Sequence, residues 1–95
     1  MSERTAPALA RLDRLVPAVE ALAPDADTAR LRDEIAALRR AIGAFHMEAI
    51  RFRMYNVERL LRREDEPHAK ARAAFDELRR ALEAAGFHTR SHQAP

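Results

Sequence analysis

The sequence predicts an all-α fold, and three observations carry that expectation. Ala, Leu, Arg and Glu, all strong helix formers, dominate the 95 residues, and β-branched residues are sparse. The chain holds only 2 Gly, too few for a set of tight hairpins or a phosphate-cradling loop. Apolar residues recur at three- and four-residue spacing in blocks divided by proline-containing turns. The boundaries of those blocks give a three-helix chain: helices at about 6–23, 28–64 and 66–85 in one domain over 1–87, then a flexible polar tail at 88–95.

The first helix starts at Thr5 as N-cap, with Pro7 in the first turn, where a missing N–H does no harm. Leu9, Leu12, Leu15, Val16, Val19 and Leu22 form its apolar stripe, and Pro17 inside that stripe predicts a kink or short break. Pro24-Asp25-Ala26-Asp27-Thr28 then reads as a turn with Asp25 or Asp27 as the next cap. From there Leu31, Ile35, Leu38, Ile42, Phe45, Ala49 and Phe52 follow in a heptad-like seam. Nothing stops this second helix before Pro67 except Gly43, which we read as a bend or close-approach point within a continuous rod. Such a rod has about 37 residues and a length of roughly 55 Å.

The third helix begins at Asp65 or Glu66 and carries Ala71, Phe75, Leu78, Leu82 and Ala85 on one face. Gly86 caps it, with Phe87 folding back onto Leu82. Short connections make neighbouring helices antiparallel, so the two shorter helices are expected to cover the two halves of the long one.

Composition narrows the function classes. The net charge is +2, and Lys70 is the single lysine beside a large excess of Arg. The chain has no Cys, which excludes disulfides, thiolate metal sites and thiol nucleophiles. No apolar run approaches a membrane span, and residues 1–4 do not lead into a signal-peptide core. These features predict a cytoplasmic bacterial protein. Titratable groups show no catalytic arrangement, so a non-enzymatic protein without cofactor is expected. Metal binding has little support. His46-Met47-Glu48 lacks the Glu-x-x-His of di-iron bundles, His68 stands alone, and His88 and His92 share a face only if the tail is helical.

The most informative stretch is 45–61. On a helical wheel it is apolar over more than half its circumference and so needs two neighbours. The third helix supplies one, and a second copy of the chain is the expected other. That predicts a helical-bundle homodimer with Gly43, Met47, Ile50, Met54, Val57 and Leu61 at its interface. Through the same arc runs a polar line, His46, Arg53 and Asn56, read first as a register-fixing layer. An anionic-ligand pocket with Arg53 as fork and His46 as switchable donor is the sharper alternative. Arg53 then requires an acid from another helix or another subunit, with Glu20, Asp76, Glu77 and Glu83 as candidates, unless the helix is rotated and Arg53 reaches outward to solvent. A second alternative is nucleic-acid binding by Arg40, Arg51 and Arg62, spaced eleven residues apart, with Tyr55 beside them. The leading expectation is a small interaction protein, an accessory subunit or regulator.

Overall fold

Four helices form where three were expected. The computed structural model describes residues 3–89 and contains α1 (Ala6–Glu20), α2 (Ala26–Gly43), α3 (Met47–Leu60) and α4 (Glu66–Ala84). No strand occurs among the described residues. The expected long second helix is divided at residues 44–46 into α2 and α3.

Local chemistry explains each boundary. Thr5 occupies the N-cap position of α1, with Pro7 in the first turn, and its side chain makes no cap bond. Ala8, Leu12, Leu15 and Val19 are buried on one stripe. Pro17 does not break the helix, which continues to Glu20. Asp13 and Pro17 are both exposed, so the carbonyl that loses its helical donor lies on the solvent side. Asp25 caps α2 by accepting the Thr28 N–H at 3.0 Å, and the Thr28 hydroxyl donates back to the Ala23 carbonyl at 2.6 Å. Asp65 caps α4 in the same way, accepting the His68 N–H at 2.9 Å, with the His68 ring Nδ1 2.7 Å away.

The break after α2 is a left-handed turn centred on Phe45, whose φ is 57°. The Phe45 N–H donates to the Ile42 carbonyl at 3.1 Å and the His46 N–H to the Ala41 carbonyl at 3.0 Å. This is the Schellman pattern of helix termination, with Phe where glycine usually stands. His46 then caps the next helix, its ring Nδ1 accepting the Ala49 N–H at 3.2 Å. One residue closes α2 with its backbone and opens α3 with its side chain. Gly43 is not the hinge; it sits inside the last turn of α2. The same pattern ends α4 with its usual residue: Gly86 has φ 97°, and the Phe87 N–H bonds the Leu82 carbonyl at 2.9 Å.

The turn sends α3 back along α2, while α1 packs along α4 and also against α2. The main pairings are therefore α1 with α4, α2 with α3 and α1 with α2, within Cα extents of 33 × 33 × 19 Å. This corrects the expected cover of the long helix. The place beside α2 reserved for the last helix is taken by α3, and α4 lies mainly on α1. A single core unites the helices, with Leu12, Leu15, Leu31, Leu38, Ile42, Ile50, Met54, Leu61, Leu78 and Leu82 among its fully buried side chains. No helix is long and apolar enough to cross a membrane among the described residues.

The end of the described chain is docked where a loose tail was expected. Phe87 is buried, its ring centroid 6.0 Å from that of Phe45. The His88 N–H donates to the Met47 sulfur at 3.4 Å, and Thr89 is 2% exposed. The remainder of the expected tail, 90–95, lies outside the described residues, and with it the His92 half of the His88–His92 pair.

Candidate functional site

The polar line expected through α3 does not assemble as a line. His46 is exposed and committed to capping α3. Arg53 is half-buried and places Nη1 3.2 Å from both carboxylate oxygens of Glu34, on α2. Its guanidinium also lies 5.1 Å from the Phe52 ring centroid. Asn56 is half-buried farther along α3. The pairing of Arg53 corrects the expected set of acids. Glu20 accepts two bonds from Arg32 at 3.0 Å each, Glu77 receives Arg11 at 2.7 Å, and Glu83 accepts the Thr89 hydroxyl at 3.2 Å. Asp76 stays exposed. In a straight helix Glu34 lies about 28 Å from Arg53, out of reach; the turn at Phe45 brings the two side by side. With its charge matched by Glu34, Arg53 is not an open fork for an anionic ligand.

The deeply buried guanidinium belongs instead to Arg79 of α4, which is 6% exposed. Its Nη2 donates to Glu58 at 2.9 Å and its Nη1 to the Thr89 hydroxyl at 2.7 Å, while its guanidinium lies 5.2 Å from the Phe75 ring centroid. Arg79 therefore ties α4 to α3 and to the docked segment after Gly86. The sequence carried a signal for it: position 79 lies one turn after Phe75, on the same apolar face as Leu78 and Leu82. Arg72 donates to the carbonyls of Leu61 and Arg63 at 2.6 Å each and so covers the C-terminal end of α3. Between these groups lies a cleft of about 110 Å³ lined by Glu58, Leu61, Arg72, Phe75, Asp76 and Arg79. Both of its arginines are already engaged by the protein.

A second groove, of about 250 Å³, runs between α1 and α2 over Val16, Val19, Ile35 and Ala36. The Glu20–Arg32 pair and the Asp13–Arg39 pair, at 2.7 Å, stand along it. The hydrogen bond from Arg32 holds the Glu20 carboxyl below its ordinary pKa, and Glu20 raises that of Arg32. No fully buried side-chain nitrogen or oxygen among the described residues lacks a partner. The described residues also contain no group of three or more His, Asp or Glu side chains placed to hold a metal ion.

The basic face expected from Arg40, Arg51 and Arg62 needs one continuous helix, and the turn at Phe45 separates Arg40 from the other two. Arg40 stands in the last turn of α2. Arg51 lies 3.8 Å from Glu48 in α3, and Arg62 follows the end of that helix.

The residues expected at a dimer interface are likewise redistributed. Ile50, Met54, Val57 and Leu61 are 0% exposed within the chain itself. Met47 is half-buried and Gly43 exposed. Within the chain, α2 and the shared core cover this side of α3.

What the core leaves outside is a set of aromatics. Phe52 is 55% exposed, Phe45 43% and Tyr55 42%. Glu48, Phe52, Tyr55 and Arg59 fall within about 60° of one another on α3 at 100° per residue. They make an outward stripe about 16 Å long. Glu48 belongs to the first turn and Arg59 to the last, positions that suit the helix dipole. The Arg59 guanidinium lies 5.7 Å from the Tyr55 ring centroid and has no carboxylate partner among the described residues. This stripe is the part of the described surface where large apolar groups and an uncommitted charge meet. No family model matches the chain, and comparison with curated proteins and with solved structures finds no match either.

Proposed function

We propose that the chain is a small non-enzymatic interaction protein, an accessory subunit or regulator, whose contact surface is the outward face of α3. The observation that carries this reading is the exposure of Phe52 and Tyr55 one turn apart on a helix whose other face is fully buried. Large aromatics in water are unfavourable unless a partner covers them, and Tyr and Arg are the side chains over-represented among interface residues that dominate binding. The rest of the molecule acts as a platform. The Arg53–Glu34 and Arg79–Glu58 pairs hold α3 to its neighbours, and its buried stripe fixes the rotation that points the aromatics outward.

A photo-crosslinking residue placed at Tyr55, with a control at exposed Lys70 on α4, tests the assignment in cells. Adducts from position 55 and none from position 70 are expected. Absence of adducts from position 55, or the same adducts from both positions, refutes it.

A further inference from the structure

The order of side chains along the outward stripe of α3 has a symmetry that identifies an occupant for it. The stripe reads acid, aromatic, aromatic, base, as Glu48, Phe52, Tyr55 and Arg59. Two such stripes laid antiparallel about a two-fold axis between positions 53 and 54 bring each residue against the one whose number completes 107. Glu48 then meets Arg59 of the second copy at both ends, and Phe52 meets Tyr55 at the centre. A parallel arrangement instead sets Glu48 against Glu48 and Arg59 against Arg59.

We propose that α3 packs antiparallel on α3 of a second copy of this chain through the Glu48, Phe52, Tyr55 and Arg59 face. The inference rests on the reading of that face as the contact surface and names its partner. Charge complementarity is the main argument. The Glu48 side chain is 82% exposed and only 3.8 Å from Arg51 at its nearest, and Arg59 has no carboxylate partner among the described residues. Reaching a second copy requires Glu48 to give up a long contact with Arg51 and Arg59 to move off the Tyr55 ring, neither of which is a close ion pair. Antiparallel stacking also sets the positive end of each helix dipole beside the negative end of the other. The aromatic pairs supply the apolar centre, and each can adopt the offset or edge-to-face geometry that rings prefer. A single short helix covers less than the roughly 800 Å² per partner of a standard interface, so the dimer is a weak, concentration-dependent one.

The test exploits the pairing rule. Glu48→Arg sets two like-charge contacts in its homodimer, and so does Arg59→Glu. Mixed together, the two variants form only opposite-charge contacts at positions 48 and 59. Sedimentation equilibrium across a concentration series should show a self-associating parent. Each single variant should have its dissociation constant raised by roughly tenfold or more. The equimolar mixture should recover parental association. Recovery on mixing also demonstrates that both variants are folded. A parent that stays monomeric at every concentration overturns the proposal, as does a parent dimer that neither substitution weakens. If the parent is monomeric but a crosslinker at Tyr55 captures a different protein, the second copy is the wrong partner and the α3 surface still stands.

Discussion

Replacing Phe45 by Ala and by Gly removes the same ring and the same contact with Phe87, so the difference between the two variants reports the backbone alone. At φ 57° the alanine carries the left-handed penalty that glycine escapes. That penalty is roughly 1–2 kcal/mol for an L residue. The greater freedom of glycine in the unfolded chain returns about 0.5 kcal/mol of it. Phe45→Gly should therefore be more stable than Phe45→Ala by about 1 kcal/mol. If the chain were helical through position 45, the order would reverse, because glycine in a helix interior is about 1 kcal/mol worse than alanine. In a domain of this size 1 kcal/mol moves the melting temperature by about 4–8 °C, which thermal unfolding followed by circular dichroism resolves easily. Both variants lie below the parent if the contact with Phe87 outweighs the strain, but their mutual order is independent of that contact. An alanine variant that melts above the glycine variant refutes the left-handed turn and the four-helix fold built on it.

Three further substitutions probe other parts of the structure. Gly43→Ala places a Cβ where no side chain or neighbouring helix comes within 4 Å. It should stabilise the protein by about 0.5–1 kcal/mol in urea unfolding, and a destabilised variant would show that Gly43 is a hinge after all. Arg79→Ala leaves the Thr89 hydroxyl and Glu58 without their donor and removes the stacking on Phe75; a loss of about 3 kcal/mol is expected, against a near-neutral result if Arg79 were solvent-facing. Acid stability should depend on the caps. The Thr28 amide holds the Asp25 carboxyl below its ordinary value of 3.8, and the His68 amide, followed by the His68 ring, does the same for Asp65. A carboxyl depressed in the folded state stabilises above its unfolded pKa, and the contribution disappears as pH falls through the folded one. The melting temperature should therefore decline below about pH 4, the unfolded value of these groups. The Asp25→Asn/Asp65→Asn double variant, which keeps a cap acceptor but cannot titrate there, should show a shallower decline. An acid limb of unchanged steepness would assign the loss to other groups.

Much of this architecture is legible in the sequence wherever the usual residue stands at the usual place. Asp25 and Asp65 precede their helices as caps should, Pro7 and Pro67 sit in first turns, and Gly86 occupies the left-handed position that its φ requires. The stripes of α1 and α4 follow from the same periodicity. The break at 44–46 was hidden because its left-handed residue is Phe45, and because Gly43, the residue that draws attention, is helical. Several other misplacements descend from that one. A straight rod put Glu34 out of reach of Arg53, placed Arg40 on one face with Arg51 and Arg62, and left Ile50, Met54 and Val57 in need of an external partner. The heptad-like seam runs true through Ile42, yet the next residues fully buried in the core are Ile50 and Met54, while Phe45 and Phe52, which the heptad pattern assigns inward, are exposed.

Amide chemical shifts followed by NMR over a dilution series test the functional account most directly, because they locate self-association on the surface without altering a residue. Concentration-dependent shifts confined to the outward face of α3, strongest at Glu48, Phe52, Tyr55 and Arg59, are predicted. The α1–α2 groove at Val16 and Ile35 and the exposed side of α4 around Lys70 should stay still. Spectra that do not change up to the solubility limit, or shifts centred on that groove instead, would contradict the account.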